Sequence, residues 1–143
     1  MKKIFKTLIM MLLIASLLST PIAMAAAPQI SPTNLYISSY SSKCYAIGDG
    51  QVKIAFTTVG TSSMDTIGAS VIKVYDKNGW VFTFNMSNAT YKSQMISNNA
   101  VIYTGSVVYN GTENNTYYAI VTHYAEKDGG SGTENYTTNS VST

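Results

Sequence analysis

The 143-residue chain has no arginine, one cysteine, one histidine and three prolines, and only 11% of its residues are charged. A single cysteine, Cys44, excludes an internal disulfide, so a packed core must stabilise the fold. Nucleic-acid binding is not expected, because contact with a phosphate backbone requires clustered lysine and arginine. Disorder is not expected either, since aromatic and β-branched residues are abundant and the net charge is only +2. The length suits one small domain.

Residues 1–25 have the pattern of a signal peptide. Lys2, Lys3 and Lys6 form a positive start, residues 8–18 form an apolar run, and Ala23-Met24-Ala25 supplies a small-x-small cleavage site. The run is too short for a membrane-spanning helix, which needs roughly 20 apolar residues. We therefore expect export and release of a secreted product, with a retained membrane anchor as the alternative. No membrane span, lipid anchor or wall anchor is expected after cleavage.

The remaining residues, 26–143, carry six lysines and all seven acidic residues, so their net charge is −1 with His123 neutral. Residues 26–34 contain Pro28 and Pro32 and are predicted to form an extended lead-in. Residues 35–143 are predicted to form a single β-domain. Alternation of apolar and polar residues predicts seven strands, at residues 35–45, 51–58, 67–75, 80–84, 101–109, 117–125 and 136–141.

The segments between these strands are predicted to be turns and connections without a helix. Asn78-Gly79 indicates a tight hairpin, because this pair tolerates the positive φ that such a turn needs. Residues 59–65 and 85–99 are predicted as polar connections, and the glycine-rich residues 127–132 as a turn. Seven short strands at spacings of about ten residues favour an all-β fold, an antiparallel β-sandwich, with a small barrel as the structural alternative.

Two resemblances support the sandwich. Gly111-Thr112, the run Tyr117-Tyr118-Ala119-Ile120-Val121, Ala125 and residues 136–141 resemble the last two strands of fibronectin type III and related immunoglobulin-like domains. In those domains a tyrosine near the start of the penultimate strand bonds back to the backbone. The resemblance implies this role for Tyr117, with Tyr118 as the second candidate. The chain lacks the two cysteines of the antibody pattern.

The second resemblance is to small secreted proteins of Gram-positive bacteria of unknown function. It is carried by Met64-Asp65-Thr66-Ile67-Gly68-Ala69, Trp80, Tyr117-Tyr118-Ala119 and Thr137-Thr138-Asn139-Ser140-Val141. These segments contain no chemical motif, so the resemblance implies export and a fold and leaves the activity open.

Aromatic residues are the feature with most meaning for binding, because the chain has eleven tyrosines and one tryptophan. Exposed tyrosine and tryptophan offer flat apolar faces with a polar edge, which suit stacking on sugars and protein contacts. We predict Trp80, Tyr118 and Tyr124 as binding residues; the alternative is that they pack within the domain. Tyr117, Gly79 and Gly129 are predicted to be structural, the glycines because they lie in turns.

No catalytic or metal-binding pattern is present. His123 is the only imidazole, and neither a metal site nor a hydrolytic triad has a signature around it, so we predict a structural role. Cys44 is predicted to be an unreactive thiol on a strand, with a reactive thiolate or a bond to another molecule as the alternative. Lys53 is predicted to face water, which argues against a buried isopeptide link. No cofactor is predicted.

Four aspartates, Asp49, Asp65, Asp76 and Asp128, are predicted to lie in turns. The alternative is that one of these turns binds calcium.

Five Asn-x-Ser/Thr sequons occur, at Asn85, Asn88, Asn110, Asn114 and Asn135. We do not expect glycosylation at them, because the lysine-rich signal looks bacterial.

The function predicted from these observations is extracellular binding without catalysis, with a glycan, the cell wall or a protein as the partner. The alternative is a secreted effector or bacteriocin-like factor, although residues 26–143 lack the cationic amphipathic helix of membrane-active peptides. An enzyme is a third hypothesis and would require a cleft with converging polar groups.

Overall fold

The structure is a computed structural model that describes residues 34–143 and, for the backbone alone, residues 29–30. The predicted signal peptide, residues 1–25, and most of the predicted lead-in, residues 26–34, lie outside the described residues. The described part contains eight strands and one short helix. They are β1 (Gln29–Ile30), β2 (Ile37–Gly48), β3 (Gln51–Asp76), β4 (Gly79–Asn85), α1 (Ala89–Met95), β5 (Ile96–Asn110), β6 (Thr116–Lys127), β7 (Gly130–Thr137) and β8 (Val141–Ser142).

The strands form a curled antiparallel sheet organised around the long strand β3. Along one side of β3, residues 51–60 pair with β2 and residues 66–75 pair with β6. Along the other side, residues 51–68 pair with β5 and residues 71–76 pair with β4. Strand β1 extends the sheet beyond β2, β7 extends it beyond β6, and β8 pairs with the first two residues of β6. The predicted all-β antiparallel architecture is confirmed.

The length of β3 differs from the prediction. Residues 59–65 were expected to form a connection, and instead they continue the strand. Their pairing with β5 shifts between Val59 and Met64, which allows the chain to bend there. The polar residue Thr61 is held by the segment before β2, because its N–H donates to Tyr36 O at 3.0 Å and its hydroxyl to Leu35 O at 2.9 Å. Asp65 consequently lies in β3 and not in a turn.

The helix α1 was not predicted, and the expectation of no helix in residues 85–99 is wrong. Asn88 caps the helix, since its Oδ1 accepts a hydrogen bond of 2.9 Å from the N–H of Thr90. Met95 is the only buried residue of the seven. One buried side chain in a two-turn helix produces no helical periodicity, so the sequence carried little signal for it.

The end of the chain also differs from the prediction. The predicted seventh strand, residues 136–141, is replaced by β7 and β8 with a break at residues 138–140. The glycine-rich segment is mostly strand, because only Asp128 and Gly129 form the turn. Gly130 lies against the hydroxyl of Tyr36, and Gly132 lies against the side chain of Asn34, so neither position has room for a Cβ atom. Close approach of neighbouring groups therefore explains these glycines better than turn formation.

The core is built from the alternating inward residues of the strands. Most of them belong to one cluster, which contains Cys44, Val52, Ile54, Phe56, Ala69, Ile72, Val74, Phe84, Met95, Val107, Tyr117, Ala119 and Val121. A second cluster contains Ile37, Tyr40, Met64, Ile67, Ala125 and Tyr136. Residues from both halves of β3 enter the first cluster, so the curl of the sheet encloses its own apolar face. The opposite face is exposed to solvent and carries the aromatic residues of interest.

Candidate functional site

Trp80 lies on the solvent side of β4, with 62% of its surface exposed. It follows the turn at Lys77 and Asn78, where the N–H of Asn78 donates to Asp76 Oδ1 at 2.7 Å, and Gly79, the first residue of β4, which has a φ of +123°. The indole Nε1–H donates to Phe82 O at 3.0 Å and to Thr83 Oγ1 at 2.9 Å. The indole is therefore held by its own strand while most of its surface faces solvent.

A bulge explains why this large aromatic residue faces outward. Phe82 and Phe84 point toward the core, and strict alternation would place Trp80 on the same side as them. The pairing of β3 with β4 shifts by one residue at this point, since Val74 is opposite Phe82 but Tyr75 is opposite Trp80. An extra residue on one strand re-aims the side chains that follow it.

Two tyrosines continue the row that Trp80 begins. Tyr75 on β3 is directly opposite Trp80 on one side and directly opposite Tyr118 of β6 on the other. The rings of Tyr75 and Tyr118 are stacked, with centres 5.1 Å apart and planes at 11°. Tyr75 follows the buried Val74, and Tyr118 lies between the buried Tyr117 and Ala119, so both tyrosines belong to the solvent face. We refer to Trp80, Tyr75 and Tyr118 as the aromatic row.

The surface next to the aromatic row carries charged as well as uncharged side chains. Lys73 is exposed two residues along β3 and is opposite Thr83 on one side and Ile120 on the other. At the end of the row, Asp76 accepts a hydrogen bond of 3.3 Å from Asn115 Nδ2. The N–H of Asn78, the largest contribution, helps to hold the pKa of Asp76 below its ordinary value, so this carboxylate stays ionised at neutral pH.

Tyr124, the third predicted binding residue, does not join the aromatic row. It lies on β6 opposite Gly68 and Thr133, six residues from Tyr118, which is about 20 Å along a strand. Its hydroxyl donates to Glu126 Oε2 at 2.6 Å. Burial and this carboxylate raise the pKa of Tyr124. The structure thus places two of the three predicted binding residues together and the third elsewhere.

The predicted structural residues lie at strand ends. The backbone N–H of Thr112 donates to Tyr117 Oη at 2.9 Å, and the amide of Asn115 donates to the same oxygen at 3.1 Å. The buried ring of Tyr117 packs over Gly111, where a Cβ atom would come within 2.7 Å of it. Gly129 has a φ of +79° in the turn between β6 and β7. These contacts fix the loop at residues 111–115 and one hairpin turn.

A buried polar cluster at His123 was not found from the sequence. Thr58 Oγ1 donates to Gly68 O at 2.8 Å, so it accepts a hydrogen bond of 2.7 Å from His123 Nδ1–H. Nε2 then carries the lone pair and accepts from the hydroxyl of Ser42 at 2.9 Å. Burial lowers the pKa of His123 to about 4, so the imidazole is neutral at physiological pH.

The arrangement of Ser42 and His123 has the hydrogen-bond direction of a nucleophile and its base, but it lies inside the core. All three polar side chains of the cluster are buried, and the rings of Tyr40 and Phe56 pack against the imidazole with centres 5.0 and 6.3 Å away. A substrate could not reach the base, His123, without opening of the core, because its side chain has no exposed surface. The cluster is therefore suited to fixing the packing of β2, β3 and β6 around one histidine.

Cys44 is a buried free thiol on β2. Its Sγ lies 3.1 Å from Thr138 Oγ1, and burial raises the pKa of the thiol, which disfavours the reactive thiolate. Its backbone is paired by a side chain, since Asn139 Oδ1 accepts from Cys44 N–H at 3.0 Å and Asn139 Nδ2 donates to Cys44 O at 3.1 Å. The amide of Asn139 thus takes the place of a neighbouring strand at this edge of β2.

Other candidate chemistry is limited within residues 34–143. No group of three or more His, Cys, Asp or Glu side chains there could hold a metal ion. A depression of about 300 Å³ lies at β2, β3 and β5 and is lined by residues of both faces, Ser41, Ser42, Lys43, Tyr45, Ala55, Phe56, Thr57 and Thr104. None of the described helical segments has the length and hydropathy that a membrane crossing requires.

Comparison of the chain with protein-family models, with curated proteins and with solved structures gives no match. The function is therefore inferred from the geometry of the described residues alone.

Proposed function

We propose that the protein is an exported, non-catalytic domain that binds a carbohydrate polymer at the cell exterior through the aromatic row. The observation that carries this proposal is the state of Trp80, whose indole is 62% exposed while its N–H is already bonded to Phe82 O and Thr83 Oγ1. A large aromatic surface that is exposed and already fixed loses little conformational entropy on binding.

The chemistry of the row fits a sugar chain better than a charged ligand. Sugars present apolar C–H faces and hydroxyl edges, which match an aromatic face flanked by polar groups. The row crosses β4, β3 and β6, whose spacing of about 4.8 Å gives a platform roughly 10 Å wide. Threonine and asparagine side chains continue this face, as in the pair Thr122 and Asn135 with a hydrogen bond of 2.8 Å. These groups can exchange hydrogen bonds with hydroxyls at little desolvation cost.

Export and the absence of catalysis are part of the same proposal. The lysine-rich start, the apolar run and the Ala23-Met24-Ala25 site support export. The burial of His123 supports a non-catalytic role, because among the described residues the base that is hydrogen-bonded to Ser42 has no exposed surface. Glycan recognition by a small exported domain needs neither a cofactor nor a metal ion.

We also propose that the curled sheet is a β-sandwich of the immunoglobulin-like type, with a small barrel as the alternative. Support comes from β3, whose two halves pair with different strands while both contribute to one core. The hydrogen bond from Thr112 to Tyr117 is a second support, because such a corner is typical of these folds. An experimental structure with continuous hydrogen bonds between β2 and β7 would favour the barrel.

A sedimentation assay tests the binding proposal. The labelled protein is mixed with intact cells, purified cell walls and insoluble neutral polysaccharides, and the bound fraction is measured against concentration. We expect saturable binding to at least one polysaccharide-containing fraction. Binding should persist at about 0.5 M salt, because contacts that involve few charges are weakly screened. Lack of saturable binding to all of these materials would contradict the proposal.

A further inference from the structure

Strand β5 presents a long edge of the sheet. It spans fifteen residues, Ile96–Asn110, and pairs with β3 along one side. Among the described residues, no other strand pairs with the second side of β5. The helix α1 approaches β5 at Gly105, where a Cβ atom would collide with the carbonyl of Gln94, and at Tyr103, whose hydroxyl donates to Ser93 O at 3.0 Å. These contacts involve the odd-numbered residues, which face the core side of the sheet.

The composition of β5 is unusual for an edge strand. Proteins normally protect such an edge with lysine, proline or an inward-pointing charge, which prevents pairing with other chains. The segment from Ile96 to Asn110 has no charged residue and no proline. It also carries three of the seven large exposed apolar residues of the described chain, at Val101, Ile102 and Val108. An unprotected apolar edge indicates a partner that covers it.

The outward residues of β5 are complementary to themselves. Ile102 and Val108 are each three positions from Gly105, and both belong to the solvent face, where they are opposite Val59 and Lys53 of β3. In an antiparallel pairing of β5 with its own copy centred on Gly105, Ile102 of each chain lies opposite Val108 of the other. Thr104 lies opposite Ser106 in the same arrangement. Two apolar pairs thus flank two hydroxyl pairs, without any charge to be buried.

The hydrogen-bond pattern allows this register. Along one edge of a strand, alternate residues direct both N–H and C=O outward, so two strands can pair only if these residues meet each other. When the two-fold axis passes through a residue, opposite positions are equally distant from that residue. An odd-numbered residue of one copy then lies opposite an odd-numbered residue of the other, and an even-numbered residue opposite an even-numbered one. Pairing around Gly105 therefore places the residues whose N–H and C=O groups point away from β3 opposite the equivalent residues of the second copy. Such an interface is isologous and closes after two copies, so it does not propagate into a fibre.

From these observations we propose that the protein forms a two-fold dimer in which the β5 strands of two copies pair antiparallel around Gly105. The partner is a second copy of this chain, and the curled sheets of the two copies join into one continuous sheet. The surface is separate from the aromatic row, so this inference does not depend on the proposed function. A dimer would present two aromatic rows to a polymer and so increase its apparent affinity for repeated sugars.

Site-directed cross-linking tests the register directly. The protein recovered from expression of the full coding sequence is prepared as the double variant Ile102→Cys with Val108→Cys and as each single variant. We expect the double variant to form disulfide-linked dimers under mild oxidation, since opposite residues lie within the Cα separation that a disulfide needs. The single variants should stay uncrosslinked, because identical positions are six residues apart, about 20 Å. The buried Cys44 provides the unreactive background in every sample.

Sedimentation equilibrium gives a second, independent readout. The unmodified protein should dimerise with concentration, and Ile102→Lys should raise the dimer dissociation constant at least about tenfold, because the two-fold axis introduces the charge twice. Ile47→Lys is the matched control, since Ile47 is 47% exposed on β2, away from the β5 edge, and should leave the equilibrium unchanged. A monomer at all concentrations would contradict the proposal. So would a dimer that lacks the cross-link between positions 102 and 108, or one that Ile47→Lys weakens equally.

Discussion

The imidazole of His123 and the hydroxyl of Thr58 share a hydrogen bond of 2.7 Å in the core, although they lie on different strands. This contact fixes the histidine tautomer, because Thr58 also donates to Gly68 O. The pKa of His123 is lowered to about 4 by burial, compared with an ordinary value of 6.5. One neutral histidine at this position therefore links the stability of the fold to pH.

The first prediction concerns that linkage. Between pH 6.5 and about 4 the unfolded chain binds more protons than the folded chain, because His123 is protonated only after unfolding. The free energy of unfolding should be fully retained above pH 6.5 and should fall toward pH 4, by about 3 kcal/mol from this group. Urea unfolding at half-unit pH steps measures the slope. The variant His123→Gln serves as the control and should have a much flatter profile between pH 6.5 and 5; identical slopes would contradict the role of His123.

The second prediction isolates the hydroxyl of Thr58. Thr58→Val preserves the shape of the side chain but leaves His123 Nδ1–H without its acceptor inside the core. We expect a loss of about 2 kcal/mol in the free energy of unfolding, the cost of an unsatisfied buried donor. Thr57→Val is the matched control on the adjacent residue, whose hydroxyl lies 3.0 Å from Thr104 Oγ1 on the outer face. It should cost less than about 0.5 kcal/mol. Equal losses in the two variants would show that the buried hydrogen bond has no special weight.

The third prediction concerns the side chain that closes the edge of β2. Asn139→Ala removes both hydrogen bonds to the backbone of Cys44, and local opening of this edge should expose the thiol more often. We expect Cys44 to react with a thiol reagent at least about tenfold faster, corresponding to about 1.4 kcal/mol of lost local stability. Ser140→Ala, at the exposed neighbouring position, is the control. An unchanged labelling rate in Asn139→Ala would mean that other contacts hold this edge closed.

Much of the fold could be predicted from the sequence because most strands bury one face. The alternation of Val52, Ile54 and Phe56 with polar neighbours indicated the first half of β3 correctly. The continuation of β3 through Thr61 was missed, since hydrogen bonds to the segment before β2 hold these polar residues and no apolar pattern marks them. Helix α1 was missed for the same reason, because one buried methionine cannot produce a helical period.

The candidate site was predictable only in part, because it depends on strand register. Trp80 and Tyr118 were selected as exposed aromatic residues, but Tyr75 joins them through pairings with two different strands. The pair Asn78-Gly79 was a usable signal, since it marks a hairpin whose turn, at Lys77 and Asn78, places Tyr75 opposite Trp80. The contact of His123 with Ser42 and Thr58 had no such signal. Those residues lie 81 and 65 positions away from His123, and only the curl of the sheet brings them together.

The contribution of the aromatic row is measured most directly by a binding titration with single-residue variants. The unmodified protein, Trp80→Ala and Tyr45→Ala are titrated with the polysaccharide fraction that the protein binds. Tyr45 is the matched control, because it is 44% exposed on β2, away from the row. Both substitutions remove an exposed aromatic ring, and both variants should retain the far-ultraviolet circular dichroism of the unmodified protein.

We expect Trp80→Ala to raise the dissociation constant at least about tenfold, or about 1.4 kcal/mol, because a fixed and exposed aromatic anchor dominates an interface of this kind. Tyr45→Ala should change it less than about twofold. Equal affinities of the unmodified protein and Trp80→Ala, or an equal loss in both variants, would contradict the assignment of binding to the aromatic row.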